Sequence, residues 1–224
     1  MYNFTISRLG EYAMLIQVAE KPSQDLLQWL VCKKEQLQSL PAVEVVFTYN
    51  EILVKFLLPL EGRYDTIRAS VEEILESSIE SIGVNGVLHK VPVCYNSQVA
   101  PDLEEYASQV NLRVDQVVAL HTSPVYPVYF IGFLPGFPYL DGLDSKLYLE
   151  RKATPSQFIQ PGSVAIGGTQ TGIYPQRSPG GWHVIGSTPV QLFDINKNPQ
   201  SLFKAGDSIK FYAITLEEYK VYER

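Results

Sequence analysis

Phe158-Ile-Gln-Pro-Gly-Ser-Val-Ala-Ile-Gly-Gly-Thr-Gln-Thr-Gly-Ile-Tyr-Pro-Gln-Arg-Ser-Pro-Gly-Gly-Trp-His-Val-Ile-Gly-Ser-Thr-Pro-Val-Gln-Leu-Phe-Asp194 holds seven of the chain's fifteen glycines and four of its fifteen prolines. Glycine admits positive φ and close backbone approach, whereas proline fixes φ and removes a donor. Set between short runs of strand-forming residues, this punctuation predicts short strands and tight turns, and it also suits a pocket built from main chain. No carboxylate lies between Glu150 and Asp194, although Arg151, Lys152 and Arg177 do. At 24 acids in 224 residues, about four or five would be expected in such a window. The segment reads as prepared to receive a negatively charged group, with ordinary barrel turns as the plainer alternative.

Working outward, Val125–Phe133 is dense in aromatic and β-branched residues and reads as a buried strand, and Val87–Tyr95 reads as a strand. Pro101–Gln109 and Val114–His121 read as short helices with Asp102 and Asp115 near their starts, where the helix dipole favours negative charge. Thr215–Tyr222 reads as a helical tail. Many strands at short, turn-punctuated intervals predict a closed or nearly closed barrel. Before it, residues 3–8 and 12–18 form strands around Leu9-Gly10-Glu11. Gln24–Leu40 has helical spacing, with Ser23 as N-cap and Pro41 as stop. Val43–Thr48 and Ile52–Leu57 form a hairpin, and Ile67–Ile82 places Ile67, Val71, Ile74, Leu75 and Ile79 on one helical face. The order β-β-α-β-β-α predicts an α+β unit with helices on one face of an antiparallel sheet. Gly83–Gly86 is the expected boundary, giving domains 1–83 and 84–224. Charge differs across it: residues 1–82 carry 7 basic and 12 acidic side chains, the remainder 11 and 12.

Bulk properties narrow the function classes. An apolar fraction of 46% is that of an ordinary globular protein, and the net charge of −6 with no basic stripe argues against nucleic acid. No apolar run reaches the eighteen residues of a membrane span, and the N-terminus lacks the layout of a signal peptide. Cys32 and Cys94 stand far apart, so a reduced, cytoplasmic protein without disulfides is expected. His89, His121, His183 and the two cysteines show no metal-ligand spacing. Gly167-Gly-Thr-Gln-Thr-Gly172 lacks the Gly-Lys-Ser/Thr ending of a phosphate loop, which places any ATP site on a partner. Pro161-Gly-Ser-Val-Ala165 is not a nucleophile elbow, and no spacing supports a Ser163–His183–Asp194 triad.

Three features carry recognition chemistry. Gly132-Phe-Leu-Pro-Gly-Phe-Pro-Tyr-Leu140 sets aromatic faces on rigid backbone, either a wall for a small ring or a core plug. Thr169-Gln170-Thr171 and Tyr174 offer groups that both donate and accept, suited to a lactam or carboxylate, or to turns. Ser178-Pro-Gly-Gly-Trp182 places several backbone amides beside an indole, an arrangement that can nest an anion. His183 is expected on the solvent side, and His121 as a favourable charge at a helix C-terminus.

The combination of Ile131-Gly-Phe-Leu-Pro-Gly-Phe-Pro-Tyr-Leu140, Pro161-Gly-Ser-Val-Ala-Ile166, Gln170-Thr-Gly-Ile-Tyr-Pro175 and Ser178-Pro-Gly-Gly-Trp182 resembles the B subunit of the bacterial ATP-dependent 5-oxoprolinase. That family includes the kinase inhibitor KipI and was formerly labelled allophanate hydrolase subunit 1. Similarity continues through Pro92-Val-Cys-Tyr95, Ala100-Pro-Asp-Leu103 and Leu120-His121, and more weakly at Leu9-Gly10 and from Val45 to Val54. The resemblance implies a small α+β N-terminal domain followed by a mainly-β, cyclophilin-like barrel domain. It also implies a complex with subunits A and C that uses ATP to open 5-oxoproline (pyroglutamate) to glutamate. Two positions depart from the family pattern: Ser156 and Ser187 stand where arginine is usual, and serine cannot replace a bidentate cation.

The expected ligand lining is Tyr129, Phe133, Gln170, Thr171, Tyr174, Ser178 and Trp182, with His121 a weak catalytic candidate and no metal. The rival reading is a KipI-like regulator that docks the aromatic loop Phe133–Leu140 on a sensor histidine kinase.

Overall fold

Gly10, at φ 66°, turns the first hairpin, in which β1 (Phe4–Leu9) pairs antiparallel with β2 (Ala13–Val18). The computed structural model describes residues 2–78 and 86–222. The chain divides into two units, Met1–Asn85 and Gly86–Arg224. The expected boundary at Gly83 and the helical positions Ile79 and Ile82 lie outside the described residues.

In the first unit α1 (Gln24–Leu37) follows β2, then come β3 (Ala42–Phe47), β4 (Glu51–Phe56) and α2 (Tyr64–Glu76). The antiparallel sheet has the order β1-β2-β4-β3. Alternation sends Met14, Ile16 and Val18 of β2 and Ile52, Val54 and Phe56 of β4 into the core, with Leu26, Leu30 and Leu37 of α1. Ser23 caps α1 as expected, its hydroxyl accepting from the Leu26 amide at 3.1 Å. The helix ends at Leu37, three residues early, in turns closed by Ser39 and Leu40 amides on the Gln36 and Leu37 carbonyls. Lys33 is fully buried, and its ammonium donates to the Ile74 and Ser77 carbonyls, both at 2.7 Å. It thereby satisfies carbonyls at the C-terminal end of α2, the pole that favours a cation.

The second unit runs β5 (Leu88–Cys94), α3 (Leu103–Gln109), α4 (Val114–Thr122), β6 (Tyr126–Ile131), β7 (Pro138–Leu140), a 3-10 turn at Ser145–Leu147, β8 (Ser156–Ile159), β9 (Ser163–Gly167), β10 (Gln170–Ile173), β11 (Ser178–Gly180), β12 (His183–Ser187), β13 (Ser208–Ile214) and α5 (Leu216–Tyr222). Seven strands close a barrel in the order β10-β7-β6-β13-β5-β12-β9, with β9 returning to β10. The β5–β13 pair is parallel and the other barrel pairs are antiparallel. β8 and β11 form a separate two-stranded sheet. Val93, Val128, Val164, Ile166, Ile185 and Phe211 fill the barrel, joined by Tyr106 and Val117 from α3 and α4. Asp102, expected to favour the start of α3 by charge, makes no side-chain cap there. Its carboxylate accepts the Val184 amide at 2.7 Å and pairs with Lys152 at 2.6 Å, tying α3 to β12 and to the segment before β8. Among the described residues, no helix is long and apolar enough to cross a membrane.

Candidate ligand site on the barrel

Strand alternation creates two separate apolar groups from the same strands. Leu140, Val164, Ile166, Ile173 and Ile185 belong to the barrel core, while Ala165, Val184 and Tyr174, just beyond β10, belong to a second cluster with Phe137, Ile159 and Trp182. The sheet beneath that second cluster is bare at two points. A Cβ on Gly167 would lie 2.5 Å from the Trp182 ring, and one on Gly172 would lie 2.8 Å from the Phe137 ring and 2.9 Å from the Pro138 carbonyl. Only glycine lets both rings rest directly on the strands.

Above this floor the rings meet nearly edge to face: Phe137–Tyr174 at 5.2 Å and 85°, Phe137–Trp182 at 5.5 Å and 80°, and Phe133–Phe137 at 5.7 Å and 88°. Such geometry is the favourable one for aromatic pairs, and it stiffens the wall they form. Phe133 sits at φ 66°, a left-handed conformation uncommon for a bulky residue. The turn is held there by the Gly132 amide on the Phe137 carbonyl at 3.1 Å and the Phe137 amide on the Leu134 carbonyl at 3.0 Å. That strain fixes an exposed ring at the rim.

The walls enclose a recess of about 240 Å³ lined by Phe133, Phe137, Tyr139, Tyr174, Trp182 and Arg151, with Pro155, Pro179 and two glycines at its edge. Its size suits a small molecule. Arg151 is the one charged side chain among the described lining residues, its guanidinium carbon 5.8 Å from the centre of the Trp182 ring. Burial pushes the Tyr174 phenol up to about 12, with the Trp182 backbone and the Arg151 charge acting in the opposite direction. Burial raises Tyr139 as well. Both phenols stay protonated near neutrality and present donors.

A larger recess of about 540 Å³ lies beside β8 and β12, with Ser156, Ser163, Ser187, Gln98, Gln160 and Tyr219 in its wall. Ser156 and Ser187, the two departures from the family pattern, face this second recess together. Its carboxylate, Asp102, is already satisfied by Lys152 and the Val184 amide.

Of the expected lining, Phe133, Tyr174 and Trp182 come together. Thr171 points into the barrel, where its hydroxyl donates to the Ala165 carbonyl at 3.0 Å and meets His121 Nε2 at 2.9 Å. Tyr129 is buried on β6, and Gln170 is half-buried at the start of β10; neither lines the aromatic recess. Ser178 is buried on β11 opposite Ile159, and its Oγ has no hydrogen-bond partner among the described residues.

The two histidine expectations are corrected. His121 is fully buried rather than displayed as a helix-end charge, and burial lowers its pKa to about 3. Because Thr171 spends its proton on Ala165, it accepts from His121 Nε2–H, which leaves Nδ1 to accept from the Tyr95 hydroxyl at 2.7 Å. The chain Tyr95–His121–Thr171–Ala165 is saturated and neutral, an interior brace. His183 is buried as well, bonded through Nε2 to the Glu150 carbonyl at 2.9 Å. Phe137 and Tyr139 line the recess although they are not in the expected lining, and both stand in the quoted aromatic loop. Their proximity to Trp182 depends on the β7–β10 pairing, with Thr171 opposite Leu140 and Gly172 opposite Tyr139.

The family model described as carboxyltransferase domain, subdomain C and D, matches residues 4–203. A Haemophilus influenzae protein named as a 5-oxoprolinase B subunit is 44% identical over 93% of this chain and 97% of its own length. A Bacillus subtilis protein of the same name is 33% identical over 98% of this chain and 97% of its own. Among solved structures, TTHA0988 aligns with a TM-score of 0.77 and 29% identity over 91% of this chain, which spans 40% of that longer protein. The chain therefore belongs to the carboxyltransferase subdomain C and D family, in the company of the proteins named as 5-oxoprolinase B subunits.

Proposed function

We propose that this chain is the B subunit of an ATP-dependent 5-oxoprolinase, acting with subunits A and C to convert 5-oxoproline to L-glutamate. The observation that carries the reading is near full-length similarity to proteins bearing that name, at 33–44% identity. The aromatic recess supports it chemically. A five-membered lactam is flat and small, and its amide is resonance-stabilised, so ring opening by water benefits from activation of the carbonyl oxygen, which ATP supplies. The role of this chain is to hold the ring between Phe137, Tyr139 and Trp182, exclude water from its faces and offer phenol donors to its oxygens.

The nucleotide belongs on another polypeptide of the complex. The glycine-rich run Gly167–Gly172 spans the end of β9, the turn at Gly168 and Thr169, and the start of β10, with Gln170 opposite Gly167, and no helix begins there to cradle phosphates. The test is reconstitution: purified chain, candidate A and C subunits, ATP and 5-oxoproline, with glutamate as readout. Glutamate should form only when all three polypeptides are present. Equal formation without this chain overturns the proposal.

A further inference from the structure

We propose that Arg151 is the carboxylate-recognising residue of the aromatic recess, and that it makes the site selective for a small cyclic acid over the same ring without the charge. The inference rests on the 5-oxoprolinase reading for the identity of the ring, but its physical basis is local. Three cations lie in the acid-free segment, and the structure separates them. Lys152 is committed to Asp102 at 2.6 Å and to the Ser156 hydroxyl at 3.0 Å. Arg177 lies over the Phe158 ring, 4.2 Å from its centre, away from the recess lining. Arg151 alone lines the recess, and among the described residues it makes no ion pair with a carboxylate.

Its placement suits recognition. At 5.8 Å from the centre of the Trp182 ring the guanidinium is within cation–π reach of the indole, and among the described residues no hydrogen bond occupies its N–H groups; an arginine fork matches a carboxylate through two parallel hydrogen bonds. Its field reaches inward, because the Arg151 charge acts on the phenols of both Tyr139 and Tyr174. With no acid among the described lining residues, nothing there opposes an incoming anion. The ring then rests on apolar walls while the acid group is anchored at the mouth. Arg151 is thus a specificity and positioning residue that leaves the scissile amide to other groups.

Trp182 provides the readout, since Trp29 is the other tryptophan and lies in the first unit. In a Trp29→Phe background, quenching of Trp182 in the assembled complex is titrated with 5-oxoproline and with its neutral carboxamide, alongside glutamate release. Losing a charge-assisted fork should weaken 5-oxoproline binding roughly 10- to 100-fold in Arg151→Gln. Arg151→Lys should recover part of that loss. The carboxamide should bind weakly, and alike in wild type and Arg151→Gln. Because Arg151 is exposed, unchanged thermal unfolding is expected and separates this effect from misfolding. Equal 5-oxoproline binding in wild type and Arg151→Gln, equal affinity for acid and carboxamide, or no binding of the acid overturns the inference. Arg151-dependent binding of the acid without glutamate release instead overturns the proposed reaction and leaves charge recognition standing. Glutamate release indifferent to Arg151→Gln does the reverse.

Discussion

His121 shows how a single residue changes role between sequence and fold. At the end of a short helix it invites a reading as a charge or a catalyst, yet it stacks on Phe211 at 4.8 Å and is neutral inside the barrel. Its ordinary pKa of about 6.5 in the unfolded chain becomes about 3 in the native state. Between those values the unfolded chain binds a proton that the folded chain refuses, so stability falls as pH drops from 6.5 towards 3. The site's full contribution is of the order of 5 kcal/mol. Denaturant unfolding from pH 7 to pH 4 should show a steep loss in wild type. In His121→Gln the starting stability is lower, and the part of the slope belonging to this site disappears. Parallel curves for the two proteins would contradict a buried neutral imidazole. The error in grouping Thr171 with Tyr174 has a comparable cause. Three positions apart in extended chain, they face opposite sides of a sheet. Ile173 in the barrel core gives the parity that assigns Thr171 to the interior.

At the scale of elements, the strands with clear alternation and the helices with clear spacing were legible. β1, β2, β3, β4, β5, β6, α3 and α4 fall within one to a few residues of their expected limits. The short strands β7, β8 and β11, of three or four residues, were not individually legible, because such lengths hold too few alternations to set a period. β7 and β11 carry Tyr139, Pro179 and Gly180 of the recess, and the remaining lining residues stand on the loops beside short strands, so its walls could be anticipated as a loop of aromatics but not as a juxtaposition. Glycine explains why the juxtaposition is possible, and two glycines of one hairpin separate space from conformation. Gly168 has φ 65° and nothing within 4 Å of the point a Cβ would occupy, so Gly168→Ala carries only left-handed backbone strain, about 1–2 kcal/mol. Gly172→Ala instead drives a methyl against the Phe137 ring and the Pro138 carbonyl, and overpacking of this kind costs about 1–3 kcal/mol. The two variants should therefore lose similar stability but differ at the site. Gly172→Ala should weaken ligand quenching of Trp182 at least several-fold, whereas Gly168→Ala should leave it unchanged. Equal ligand binding in both would mean that the ring floor does not shape the recess.

At the scale of the whole chain, each unit has a core of its own. The first is built from β2, β4 and α1, the second from the barrel with α3 and α4. Every group assigned to ligand recognition, Phe133, Phe137, Tyr139, Arg151, Tyr174 and Trp182, belongs to Gly86–Arg224. The His121 brace and the Asp102–Lys152 clamp are also internal to that unit. A barrel closed by β9 on β10 leaves no open edge in its ring, and the unit is within the ordinary size of an independent domain. The fragment Gly86–Arg224 should accordingly unfold in one cooperative transition and keep the near-ultraviolet dichroism of its packed aromatic cluster. It should also retain acid-dependent quenching of Trp182 to within about threefold of the full chain, a difference below 1 kcal/mol. A molten fragment, or a folded one whose quenching is lost, would show that the first unit is needed to complete the recess and would move the site from the barrel alone to the intact chain.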